Sequence, residues 1–254
     1  MSESIRAVER ALDVLECFSI KTPELSMTQI AEKIGINKST VHRLLATLER
    51  KRFVERDPVS GTYRAGIHLL QLAYLAMETN DLRRVSEPFL HKLWELFRET
   101  VDLAVFDGNE IVFISVLESP QRVKLAAAVG QRLPVFCTAS GKAILAYMPE
   151  TTVLHLLEHD LQEYTAFTVV APEQILKDLR QCQQQGFAIT EQEYEDGINA
   201  IGAPVIGRNG LPIAAVSVAG PAYRLTREKM VQIGPSLRAT ADEISQEIGT
   251  TQRS

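Results

Sequence analysis

Cysteine is scarce in this sequence. Cys17, Cys137 and Cys182 are odd in number and far apart, with no C-x-x-C pair. That spacing excludes a disulfide framework and a zinc knuckle, and each thiol reads as a small buried apolar residue. An excess of basic charge is also missing: 27 Lys/Arg stand against 32 Asp/Glu, a net charge of −5. A coat that binds nucleic acid without specificity would be basic throughout. No apolar run reaches the length of a membrane span, and MSESIRAVER has no signal-peptide core, so a cytoplasmic protein is expected. Repeats and low-complexity tracts are absent. At 254 residues, 45% hydrophobic and 23% charged, the chain has room for two ordinary globular domains.

What is present centres on Ser26 to Arg52, SMTQIAEKIGINKSTVHRLLATLERKR. Met27, Ile30, Ala31 and Ile34 recur at helical spacing behind Ser26, a good N-cap. Gly35 supplies the left-handed residue that ends such a helix. Asn37 or Ser39 can cap a second helix, whose apolar face is Val41, Leu44, Leu45 and Leu48. Lys38, Ser39, Thr40, His42, Arg43 and Thr47 are left on the other face. Short polar and cationic side chains near a helix start suit entry into the DNA major groove. From Lys38 to Arg56 there are six Lys/Arg and two acids. Phe53 to Arg56, a turn with Pro58 and Gly61, and Thr62 to Arg64 read as a hairpin. Together these predict a winged helix-turn-helix. Its DNA-binding residues are expected to be Thr28, Lys38, Ser39, Thr40, His42 and Arg43, with Arg56 and Arg64 on the wing reaching phosphates or the minor groove.

Charge follows the same division. Residues 1–64 hold 11 Lys/Arg and 9 Asp/Glu, net +2, and the rest holds 16 and 23, net −7. A mildly basic head on an acidic body fits one DNA-facing module and one with another task. Before the head, Ile5, Val8, Ala11, Leu12, Leu15 and Phe18 form a stripe expected to pack beneath the two helices. After the wing, Gly66 to Met77 is apolar on more than one face. It reads as a dimerising linker helix, the alternative being burial against the second domain. The domains are expected at 1–65, 66–80 and 81–254.

The body reads as α+β around one antiparallel sheet. Helices are expected at Arg84 to Glu99 with Pro88 in the first turn behind a Ser86 cap, at Ala139 to Met148, Glu150 to His159, Pro172 to Gln185 and Thr226 to Ile248. Strands are expected at Val101 to Phe106, Glu110 to Leu117, Arg122 to Val129, Phe187 to Glu191, Ile198 to Ile206 and Leu211 to Ala219. Gly130 to Val135 is expected to be a loop. A loop running into the small residues Ala139, Ser140 and Gly141 offers free N–H groups to an anion, and a carboxylate is the natural guest. A tightly packed helix start with no ligand is the competing reading. The stretch is not a phosphate loop, because Phe136 and Ala143 break the pattern. His155, Glu158 and His159 match an H-x-x-E-H zinc motif, but no third ligand is evident. A metal-dependent hydrolase and a non-sensing DNA-architectural protein are therefore the alternatives, and no metal, cofactor or catalytic residue is expected.

The chain resembles the IclR family of bacterial transcription regulators. The likeness runs over nearly its full length, through RAVERALDVLE, STVHRLLATLE, YRAGIHLLQLA, RLPVFCTASGKAILA, GFAITEQEYEDGINAIGAPV and LPIAAVSVAGPAYRLT in that order. The resemblance implies a winged helix-turn-helix head, a linker helix and a GAF/PAS-like α/β effector-binding domain. It implies a homodimer or a dimer of dimers on a palindromic operator of double-stranded DNA, mostly as a repressor of catabolic genes. The effector would be a small carboxylate: a sugar acid, an oxo acid or an aromatic acid. It would sit against Ala139, Ser140 and Gly141, with Thr190 where several members have Asp, Ala200 at the family's Gly-x-x-Cys position, Ile198 beside it, and Ser217 and Ala219 at the family's two serines. The missing Asp, Cys and Ser imply a less polar pocket, which favours a larger effector over the simplest oxo acids.

Overall fold

The computed structural model describes residues 5–158 and 160–251. Two compact units divide between Thr79 and Asn80.

In the first unit, α1 (Arg6–Glu16), α2 (Met27–Ile34) and α3 (Lys38–Arg50) pack around Val14, Ile30, Val41 and Leu45, all fully buried. Local chemistry sets the helix ends. Ser26 and Gln29 form a reciprocal capping box, and Gly35 closes α2 in the left-handed conformation at φ 67°. Asn37 Oδ1 accepts from Thr40 N at 2.9 Å and starts α3. The hairpin β2 (Val54–Arg56) and β3 (Tyr63–Ala65) follows, and a short β1 (Glu24–Leu25) adds to β3 in the order β1-β3-β2. The apolar stripe of α1 divides. Ala11, Leu15 and Phe18 pack inward with Val14, while Ile5, Val8 and Leu12 stay exposed. The helix α4 (Ile67–Glu78) buries none of its residues.

The second unit opens on α5 (Asp81–Phe97), capped by Asn80, whose side chain accepts from Arg83 N at 3.0 Å. Pro88 therefore lies in the helix interior rather than its first turn, and Ser86 is buried instead of capping. One backbone bond is lost there, but Leu90 and Leu93 anchor that face in the core. Then come β4 (Thr100–Asp107), β5 (Glu110–Leu117), β6 (Arg132–Pro134), α6 (Ala139–Leu145), α7 (Glu150–Leu157), α8 (Pro172–Gln185), β7 (Ala188–Glu191), β8 (Ile198–Ile206), β9 (Pro212–Pro221) and α9 (Arg227–Thr251). The strands form one antiparallel sheet in the order β6-β5-β4-β9-β8-β7. Residues 122–129, expected as a strand, are irregular. The edge of β5 is taken instead by Arg132–Pro134, which had read as loop. Alternating side chains suggest a strand, but a partner edge is what makes one.

Helices cover both faces of this sheet. α5 and α9 pack on one, against Val101, Leu103, Ile201, Ala203, Val216 and Val218. α6, α7 and α8 cover the other, with Ile144 and Ile175 against Ala104, Ile111 and Phe113. The chain is thus α+β, with a helix-turn-helix head and an antiparallel-sheet body.

Candidate functional site

The head and the body each present a site. In the head, α3 exposes Lys38, Ser39, His42 and Arg43, while Thr40 and, on α2, Thr28 are half-buried. Ser39 Oγ donates to Asn37 Oδ1 at 2.9 Å, so the residue that looks outward also fixes the cap. The two wing cations are engaged within the head. Arg64 bonds Glu55, its cross-strand neighbour, at 3.1 Å, and Arg56 lies 5.8 Å from the Tyr63 ring centroid. An exposed pair of this kind contributes about 1 kcal/mol or less, so either cation can exchange to a phosphate. A groove of about 410 Å³ is lined by Thr40, Arg43, Leu44 and Thr47 of α3 together with Arg6, Ala7 and Arg10 of α1. Sequence reading assigned α1 a scaffold role alone. The signal it passed over was a pair of arginines one helical turn apart, on a helix that packs against α3.

In the body, a cavity of about 70 Å³ lies between α6 and the sheet. Ala139, Ser140, Thr190, Ile198, Ala200, Ser217 and Ala219 line it together. Gly141 does not. It sits one residue deeper, and a Cβ there would stand 2.0 Å from the Val135 carbonyl oxygen. Cross-strand register gathers the sheet residues. Gly202, Ser217 and Asp102 are consecutive neighbours across β8, β9 and β4, and Thr190, Ala200 and Ala219 form a second row. Gly202 lets α6 approach, because a Cβ on it would lie 2.7 Å from the Ala139 carbonyl. Thr138 starts α6, its side chain accepting from Gly141 N at 3.3 Å.

Sequence reading missed Asp102. Its side chain is 2% exposed and faces the cavity. Ser217 Oγ donates to Oδ2 at 2.5 Å and Ser140 Oγ to Oδ1 at 3.3 Å. Burial pushes this carboxyl up to about 6, with the two hydroxyls pulling in the opposite direction. Glu193, Glu195 and Tyr194 also line the cavity, and among the described residues no Lys, Arg or His does. Lys142, fully buried, reaches Glu193 Oε1 at 2.7 Å and Asp178 Oδ2 at 2.9 Å. Burial raises the Glu193 carboxyl while Lys142 lowers it. Burial holds the Cys137 thiol, also on the cavity wall, at about 12, so it stays protonated and inert. The pocket is therefore more polar than its missing family residues suggested. A sugar acid or an aromatic acid needs its walls to move, since a cavity that takes benzene is roughly 150 Å³.

Two family descriptions match the chain. "IclR helix-turn-helix domain" covers residues 7–58 and "Bacterial transcriptional regulator IclR C-terminal" covers residues 74–246. The chain belongs to the IclR family of bacterial transcriptional regulators. The HTH-type transcriptional repressor AllR of Escherichia coli K12 is 32% identical over 245 residues, spanning 96% of this chain and 90% of its own. The HTH-type transcriptional regulator XynR of the same strain is 30% identical over 246 residues, spanning 96% and 98%. Among solved structures, an IclR transcriptional regulator from Alicyclobacillus acidocaldarius has a TM-score of 0.88 at 29% identity, covering 97% of this chain and all of that one. An IclR homolog from Microbacterium hydrocarbonoxydans, complexed with 4-hydroxybenzoate, has a TM-score of 0.82 at 27% identity, covering 95% and 98%. IclR-family proteins are DNA-binding regulators, not enzymes, and the hydrolase alternative falls. Of its stretch, His155 on α7 and Glu158 at its C-cap are exposed, and His159 lies outside the described residues.

Proposed function

We propose that the protein is a ligand-controlled repressor of catabolic genes that binds a palindromic operator as a homodimer or a dimer of dimers. One observation carries this reading. A helix with a cationic outer face stands in one compact unit, and a cavity with a polar end lies in the other. Thr28, Ser39, Thr40, His42 and Arg43 would meet base edges and nearby phosphates, with Lys38, Arg56 and Arg64 supplying backbone attraction. The domains would serve as a DNA-binding head at 1–65, a dimerising linker at 66–80 and an effector-binding body at 81–254. The exposed apolar residues of α1 and α4 suit burial by a second copy. The effector would be a small organic acid whose carboxylate rests against Ala139 and Ser140 at the start of α6, within the wall formed by Thr190, Ile198, Ala200, Ser217 and Ala219. Its binding would favour one dimer geometry and move the two recognition helices off the roughly 34 Å repeat of the duplex. No helix among the described residues is long and apolar enough to cross a membrane. Operator binding places the protein in the cytoplasm.

The test has two steps. Genomic fragments are first selected with the purified protein, and the recovered site is then titrated by fluorescence anisotropy. Arg43→Ala should lose about 1–3 kcal/mol of operator affinity and leave effector affinity unchanged. If no duplex is preferred over random competitor, the reading fails. A non-sensing architectural protein would bind DNA but give no thermal shift with any metabolite.

A further inference from the structure

Granted the sensing role proposed above, the polar end of the cavity restricts what can enter it. Both serine hydroxyls that reach this end spend their protons on Asp102, Ser217 at 2.5 Å and Ser140 at 3.3 Å. An ionised carboxylate only accepts, and each hydroxyl that has given its proton can only accept as well. Asp102 is buried and the cavity wall offers it no cation; Lys142 is held by Asp178 and Glu193. Its carboxylate keeps lone pairs that two donors do not fill. Buried acceptors in this state gain most from a ligand that brings a hydrogen, and lose from one that brings another lone pair.

We propose that Asp102 accepts a hydrogen bond from a hydroxyl of the effector, so that the cavity selects a small hydroxy acid over its oxo counterpart. In a 2-hydroxy acid the hydroxyl sits one carbon from the carboxylate. The hydroxyl can turn to Asp102 while the carboxylate stays within the same cavity, on the side lined by Ala139 and Ser140. In the 2-oxo acid the same position carries a carbonyl oxygen, which faces the carboxylate with no hydrogen between them. A cavity of about 70 Å³ suits acids of a few carbons.

The experiment is calorimetric titration of the full-length protein at about pH 8 with matched pairs: glycolate and glyoxylate, lactate and pyruvate, 2-hydroxybutyrate and 2-oxobutyrate. The hydroxy member should bind about tenfold or more tightly, the usual worth of a hydrogen bond to a buried charged group. Asp102→Asn, the same shape with a donor added, should collapse or invert that ratio. In the wild-type protein the ratio should shrink at about pH 5, where Asp102 takes up a proton and becomes a donor. Glu193, Glu195, Tyr194 and Cys137 face the same cavity, so the Asp102→Asn protein should lack this dependence if Asp102 is its source. Equal binding of the two members, a ratio untouched by Asp102→Asn, or a wild-type ratio identical at both pH values would overturn the assignment and leave sensing intact. If the variant does not fold, the wild-type comparison at the two pH values decides. A protein that binds neither these acids nor any compound of a metabolite library would overturn sensing and the Asp102 assignment together.

Discussion

An aspartate at 2% exposure has given up most of its hydration, and two serine hydroxyls replace only part of it. The carboxyl of Asp102 consequently rises from 3.8 to about 6 on folding. Between these values the folded chain holds a proton that the unfolded chain has released. Its contribution to stability is therefore full below about pH 4 and is lost as pH rises through 6. At 1.36 kcal/mol per unit, the loss by pH 7 is on the order of 3 kcal/mol. Asp102→Asn removes this slope. Its stability relative to wild type, measured by urea unfolding, should climb between about pH 4 and 7. A difference that stays flat over that range would show that Asp102 does not titrate there. Glu193 is present in both proteins and cancels. Nothing local in VDLAVF marks Asp102 as special. It became a pocket residue only through register with Ser217, which lies 115 positions away. The helix-turn-helix itself was legible because its signals are local: the Ser26 cap, Gly35 in the left-handed region and the Asn37 cap.

At the scale of elements, Lys142 ties α6 to α8 through Asp178 and to the segment after β7 through Glu193. A lone buried charge costs far more than a lost pair contributes. Lys142→Ala should lower stability by about 3–5 kcal/mol, and the double change Lys142→Met with Glu193→Gln should recover a large part of it. Thermal and urea melts decide. A double variant as damaged as the single one would mean that Lys142 matters for packing rather than charge. The strand misread at 122–129 is a lesson at this scale. Arg122 to Val129 alternates well, yet β5 pairs with Arg132–Pro134. Helix ends announce themselves in the sequence, whereas a strand's existence depends on an edge supplied from elsewhere.

At the scale of the whole molecule, α1 and α4 leave apolar side chains exposed. Leu70 on α4 is 65% exposed and Leu12 on α1 is 52% exposed, with Ile5, Val8, Ile67, Tyr74 and Leu75 exposed near them in sequence. The continuous apolar character of Gly66 to Met77 was plain in the sequence, but what covers it was not, because a surface pattern does not name its partner. Burying a Leu contributes about 1.5–3 kcal/mol, counted twice in a two-fold interface. In the homodimer proposed above, Leu70→Glu should therefore shift the equilibrium toward monomer by two or more orders of magnitude in dissociation constant, read by sedimentation equilibrium. A variant that sediments like wild type would place the contact elsewhere.

Gly202 has an evolutionary consequence. With the Ala139 carbonyl 2.7 Å from where its Cβ would be, that position is closed to every side chain unless α6 lifts from the sheet. Reshaping the chamber for a different effector would then be easier at Thr190, Ala200 and Ala219, which line it from the neighbouring row.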